Sequence, residues 1–240
     1  MRKRHLWLWL ALLVTSLALV AAGCGGDDDE AAGDGATTEE QGGAEGGLAA
    51  DQTITVNWGT EPPSLDPGLA SDVTSANILL NIMDPLVKLD DDLNPVPAAA
   101  ESFETSEDGK TVTFTLRDDV KWTNGDPVTA QDFEYSWKRT ISPELGADYA
   151  YQFYGIVGAQ DYNSCDADKD DCAALADKVG VTAVDDKTLE VKLTTPQPWF
   201  TQQVAHHSFL AVHKPTVDQF GDKWTAVSYT HLTLPTICSV

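Results

Sequence analysis

The sequence predicts a mixed α/β fold, and three observations predict it. Short segments alternate apolar and polar residues, the period of half-buried strands. Gly-containing turns separate those segments. Between two of them lies a well-capped amphipathic helix. All three features meet in the stretch from Phe114 to Arg139. Val112, Phe114 and Leu116 alternate with Thr113, Thr115 and Arg117, giving a strand. Asn124-Gly125 is a turn, because both residues tolerate positive φ. Asp126-Pro127 keeps the following residues out of helix. Thr129 is placed to cap a helix starting at Ala130, with Asp132 near the positive end of its dipole. Phe133 and Trp137, four apart, share one face of that helix, and Val128 leads into it.

The same string carries a family resemblance. Phe114-x-Leu116-Arg117, then Lys121-Trp122, then Gly125-x-Pro127-Val128-Thr129-Ala130-x-Asp132 resembles the signature of the solute-binding proteins of peptide-type ABC importers, the bacterial extracellular solute-binding family 5. It is most similar to the oligopeptide-binding members. The resemblance implies a periplasmic-binding-protein-like type II fold, with two lobes hinged about a cleft. It covers roughly Asp51 to Trp224.

Upstream of that region, residues 1–23 contain Arg2, Lys3 and Arg4, followed by an apolar run from Leu6 to Ala22 without an acidic residue. That is the pattern of a secretory signal. Val20-Ala21-Ala22-Gly23-Cys24 resembles a lipobox, with Ala21 where the family usually has Leu. The resemblance implies lipid transfer to the Cys24 thiol and cleavage before it. An uncleaved anchor helix is the alternative. Residues 24–50 are rich in Gly, Ala, Asp and Glu and bury too little apolar surface to offset their ordering entropy. They read as a tether reaching on the order of 25–30 Å.

From Asp51 onward, Ile54, Val56 and Trp58 alternate with Thr53, Thr55 and Asn57, predicting a first strand. Ser64-Leu65-Asp66-Pro67 resembles the family's opening turn. A helix follows, capped by Thr74 or Ser75, with Ile78, Leu79, Ile82 and Met83 as its apolar face and Pro85 beyond its end. The resemblance places Val73, Thr74 and Ser75 where relatives offer backbone N–H and C=O groups to an extended peptide, a β-augmentation. Phe103 to Leu116 reads as a hairpin turning at Glu107-Asp108-Gly109-Lys110. The aromatic stretch Asp148 to Phe153-Tyr154 reads mostly as core, but Tyr149 matches a ligand-approaching Tyr of peptide-binding relatives. Leu189, Val191 and Leu193 mark another strand. Pro196-x-Pro198-Trp199-Phe200 and Phe220-Gly221-Asp222-Lys223-Trp224 resemble later family turns.

The implied domain plan is a main-lobe segment at 51–83, a small inserted domain at 84–215 and a return to the main lobe at 216–226. Val227-Ser228-Tyr229-Thr230-His231-Leu232-Thr233-Leu234-Pro235-Thr236 resembles a translated sequencing-library adapter. Residues 227–240 are therefore expected to be non-native, and the gene to be cut short.

Charge and motifs narrow the functional classes. The chain has 38 acidic and 15 basic residues and a formal charge of −23. Such a field excludes nucleic acid and peripheral binding to anionic lipid. Membrane attachment is expected through the lipid anchor alone. Cys165 and Cys172 flank an acidic loop, and outside the cytoplasm a local disulfide is expected. Asp166, Asp168, Asp170 and Asp177 sit at positions 1, 3, 5 and 12 of a calcium-loop template, but Asp171 stands where that loop needs Gly, and the bidentate Glu is missing. An acidic surface loop is the expectation. His206 and His207, in an extended chain, should point to opposite faces and, with His213, form no metal site. No nucleophile elbow, phosphate loop or metalloprotease helix motif is present, so no enzyme, metal or cofactor is expected. The expected function is a monomeric, lipid-anchored receptor delivering oligopeptides to ABC permease subunits. A dipeptide, nickel or sugar-oligomer receptor, or a signalling or chaperone-like surface lipoprotein, stands as the alternative.

Overall fold

A four-stranded antiparallel sheet forms the centre of the structure, a computed structural model that describes residues 55–225 and the backbone of 237–238. The chain divides into two units at Thr55/Val56, and all the described helices and strands belong to the second. The first helix, α1, spans Val73–Ile82. Two short strands, β1 (Val87–Leu89) and β2 (Pro95–Pro97), pair with each other. The hairpin β3 (Ala100–Thr105) and β4 (Thr111–Leu116) follows, then β5 (Lys121–Trp122) and helix α2 (Ala130–Thr140). Short helices α3 (Ala159–Asn163) and α4 (Cys172–Ala176) precede β6 (Val181–Ala183) and β7 (Thr188–Lys192). The order ends with α5 (Phe200–Gln203), α6 (Lys214–Phe220) and β8 (Ile237–Cys238). The sheet order is β3-β4-β7-β6. Phe114 sits opposite both Phe103 and Leu189.

Alternation decides which face of the sheet is core. Val112, Phe114 and Leu116 are buried, while Thr111, Thr113 and Thr115 are only partly covered. Leu189 and Val191 continue that face on β7. Helix α2 lies across β6 and β7, and its Phe133 and Trp137 are fully buried against them. The helix starts where the sequence placed it. Thr129 is the N-cap, and the Asp132 carboxylate accepts from the Thr129 N–H at 2.9 Å. Both expected turns form as well, with Gly109 at φ 68° and Gly125 at φ 94°. The Trp137 indole donates to the Phe209 carbonyl at 2.8 Å. Phe153 stacks on Phe209, ring centroids 4.1 Å apart. Within the aromatic stretch Ala150 and Phe153 are core, whereas Tyr149 and Tyr154 are half-buried and Tyr151 is exposed, so less of it is core than expected.

Several expectations are corrected. The described part of the first strand, residues 55–58, forms no strand. A strand exists only through a hydrogen-bonded neighbour; no described strand lies beside it, and Val56 and Trp58 remain exposed. Helix α1 begins earlier than expected. Its cap is Asp72, whose Oδ1 accepts the Ser75 N–H at 2.9 Å, so Thr74 and Ser75 are inside the helix. Three good capping residues so close together left that choice open locally. Cys165 and Cys172 are joined by a disulfide with Cα atoms 5.7 Å apart. The leader, Cys24, the tether and 226–236 lie outside the described residues. Of the tail, only the backbone of β8 is described, paired antiparallel with β5. Among the described residues no helix is long and apolar enough to cross a membrane.

One polar knot joins three distant segments. Asp66 is buried in the Ser64-Leu65-Asp66-Pro67 turn. Its carboxylate accepts a bidentate pair from Arg139 at 3.0 and 2.6 Å. It also accepts the Trp224 indole N–H at 2.9 Å and the Gly68 N–H at 3.0 Å. The turn is thereby fixed to the end of α2 and to the residues after α6. Removing one partner of such a pair leaves an uncompensated charge away from water. Asp66→Asn should therefore lower unfolding stability by about 3–5 kcal/mol, read from urea denaturation. A loss below about 1 kcal/mol, the range of a solvated surface pair, would show that the knot contributes little.

Candidate functional site

The knot at Asp66 positions the next residues of the chain. The Asp66 carbonyl accepts from the Leu69 and Ala70 N–H groups, both at 2.9 Å, so the turn is tight and Ala70 is fixed. The Ala70 carbonyl in turn faces His207 Nε2 at 2.9 Å. A carbonyl only accepts, so His207 carries its proton on Nε2. Two residues further on, Asp72 caps α1. A contact between residues 70 and 207 thus brings the start of α1 beside the loop after α5.

Between them opens a cavity of about 790 Å³. Val73, Ala76 and Leu80 of α1 line it, and so do Tyr149, Gln152, Gln203, His206 and His207 on the facing wall and Leu89 of β1, a strand that contacts α5. The Gln203 amide donates to the Gln152 carbonyl at 2.6 Å and to its side-chain oxygen at 3.0 Å, which fixes that wall. The Tyr149 ring stands edge-on to both imidazoles, at centroid distances of 5.0 and 5.5 Å.

The two histidines do not point to opposite faces. Residues 207–209 form a 3-10 turn rather than extended chain, so the rings lie together, 4.1 Å apart and tilted by 37°. His206 Nδ1 accepts the Ser208 N–H at 3.3 Å and lies 2.9 Å from the Ser208 hydroxyl, which leaves its proton on Nε2. Burial, with a smaller contribution from His207, pushes the His206 pKa down to about 4. Burial also lowers that of His207, against the opposing pull of the Ala70 carbonyl and Asp72. The pair is neutral near pH 7 and offers hydrogen bonds rather than charge. His213 lies elsewhere, packed on Trp122.

Of the residues singled out from sequence, Val73 and Tyr149 meet in this cleft. Val73 is 75% exposed. Thr74 instead pairs its hydroxyl with that of Thr60 at 3.1 Å, and Ser75 is fully buried with its hydroxyl on Asp72. Residues 73–75 form the first helical turn, and the extended residue is Asp72, at φ −122° and ψ 159°. The Ser75 N–H is spent on the cap. Sequence reasoning missed Asp72, Leu80, Gln152 and Gln203. It weighed His206 and His207 only as metal ligands; their closeness to Tyr149 had no local signal.

The family model described as bacterial extracellular solute-binding proteins, family 5 Middle, matches residues 94–230. The chain belongs to that family. It is similar to the oligopeptide-binding protein OppA of Bacillus subtilis, 44% identical over 172 residues, which cover 72% of this chain and 30% of that protein. The dipeptide-binding protein DppE of Bacillus subtilis is also 44% identical, over 182 residues covering 76% of this chain and 32% of that protein. Among solved structures, the substrate-binding domain of an oligopeptide ABC transporter from Bacillus anthracis aligns with a TM-score of 0.62 at 41% identity. It covers 68% of this chain and 30% of that one. Haemophilus influenzae OppA, in complex with RPPGFSPFR, aligns at 0.63 and 37% identity, covering 70% of this chain and 32% of that one. The solute-binding, periplasmic-binding-protein-like fold expected from sequence is therefore the fold of this family 5 chain. It spans about a third of the length of the curated relatives it matches.

The histidine pair sets a pH dependence. The unfolded imidazole takes its proton near pH 6.5, whereas folded His206 does so only near 4. Stability is thus fully present above 6.5 and is lost as pH falls toward 4, because the unfolded state binds the extra proton. Thermal melts of the wild type and His206→Asn between pH 7.5 and 5 should converge or cross as pH falls, the wild type losing more. Parallel curves would rule out a depressed His206.

Proposed function

We propose that this chain supplies part of the peptide-binding cleft of an extracytoplasmic receptor that captures oligopeptides and delivers them to an ABC permease. The observation that carries the reading is the meeting of Val73 and Tyr149 across one open cleft, in a chain of solute-binding family 5. The names of its relatives, oligopeptide-binding and dipeptide-binding, support it. The chemistry fits a neutral, hydrogen-bonding ligand backbone. Tyr149 offers an aromatic face and a hydroxyl. His206 offers an uncharged ring N–H, and the Gln152–Gln203 pair lies alongside. These are groups for orienting and holding a ligand, and the receptor is read as a binding protein rather than an enzyme. On the family plan, residues 51–83 and 216–226 belong to the main lobe and 84–215 to the small domain; of Val73, Thr74 and Ser75, Val73 keeps the place beside the ligand, while Thr74 and Ser75 turn to Thr60 and Asp72.

Ligand-observed saturation-transfer NMR tests the reading, with the chain offered a mixed tripeptide-to-pentapeptide library, an oligosaccharide mixture and Ni²⁺ separately. Peptides should bind saturably but weakly, ahead of the other two ligand classes. Tyr149→Ala should weaken them about tenfold, the scale of an aromatic contact residue, while Tyr149→Phe keeps the ring packing and most of the binding. Saturable binding of sugar or nickel without peptide would overturn the assignment.

Anchoring through a lipid on Cys24 is the second part of the proposal. It is supported by the basic and apolar leader and by the lipobox-like Val20-Ala21-Ala22-Gly23-Cys24. In cells given radiolabelled fatty acid, Cys24→Ala should abolish label incorporation and release the protein from the membrane fraction. Undiminished label in the variant would sink the anchor.

A further inference from the structure

We propose that the cleft selects an uncharged, apolar side chain on its ligand, and that the outward stripe of α1 is the surface that makes the selection. This rests on the peptide reading above and adds to it the class of peptide. Helix α1 has two apolar faces. One packs inward through Leu79, which is 0% exposed, and the partly buried Ile82. The other, Val73, Ala76 and Leu80, follows the i, i+3, i+7 spacing of a single stripe. It leaves Val73 75% and Leu80 44% exposed. Leu89, at the end of β1, is 40% exposed. All four open on the same cavity. Scattered apolar residues on a surface require no explanation, but a contiguous set lining a concavity marks a binding site.

The facing wall explains the discrimination. Its polar groups are neutral: Tyr149, the Gln152–Gln203 pair and the two imidazoles, which share one desolvated stack. They suit the amide groups of a peptide backbone. The only ionised side chain among the described lining residues is Asp72. Both of its oxygens are engaged by Ser75, one by the N–H and one by the hydroxyl. The charge of Asp72 also faces the positive end of α1, which offsets part of it, so it is a weak counter-charge for a cationic side chain, and an anionic one finds none. Either would lose water without full repayment. A leucine or phenylalanine side chain loses nothing polar and covers Val73, Leu80 and Leu89.

The test is a ¹H–¹⁵N chemical-shift titration of the intact chain with the tripeptides Ala-Leu-Ala, Ala-Asp-Ala and Ala-Lys-Ala. The leucine peptide should bind about tenfold more tightly than either charged one, the scale of an apolar contact in a pocket. Leu80→Gln and, separately, Val73→Gln should each shrink that ratio. Both positions are exposed enough for the variants to fold, and the spectra report whether they do. If all three peptides bind equally, or the preference survives in both variants, the inference falls while the peptide reading stands. If no tripeptide shifts any cleft resonance, both fall together.

Discussion

The buried pair between Asp66 and Arg139 is the constraint on which the rest of the described structure depends. A carboxylate that is nearly inaccessible to water is tolerable only if its lone pairs are filled. Asp66 fills them from Arg139 on α2, Trp224 beyond α6 and Gly68 in its own turn. These partners come from three parts of the chain, and the carboxylate can be satisfied in only one mutual arrangement. The pair thus specifies geometry as much as it stabilises. It fixes where Ala70 sits, hence where His207 is held, and hence where the mouth of the cleft lies.

The cleft combines two kinds of wall for one physical reason. Helix α1 must bury Leu79 against the core while its opposite stripe faces open space. The residues after α5 cross a tight 3-10 turn that brings two imidazoles together, with Tyr149 edge-on to both. Burial keeps those imidazoles neutral. The result is a site that offers hydrogen bonds and apolar contact but little net field, in a chain whose total formal charge is −23. The acidic residues concentrate elsewhere, as in the loop closed by the Cys165–Cys172 disulfide. There Asp166 is paired with Lys169.

The sequence by itself determined the features whose physics is local. Alternation in residues 112–116 and 189–193 named the sheet and its buried face. Gly109 and Gly125 named turns that need positive φ. Thr129 and Asp132 named the start of α2, because a capping box closes within four residues. The family string from Phe114 to Asp132 named the fold class, and Val73 and Tyr149 were legible through the same resemblance. Only the tertiary structure decided the rest. Whether residues 55–58 form a strand depends on a neighbour to pair with, which their own alternation cannot supply. Whether Asp72, Thr74 or Ser75 caps α1 depends on where the turn before it is pinned. The stacking of His206 on His207, the fourfold satisfaction of Asp66 and the outward apolar stripe of α1 all depend on partners far away in the chain. Such contacts leave no periodic trace in sequence, because they are set by how the elements pack.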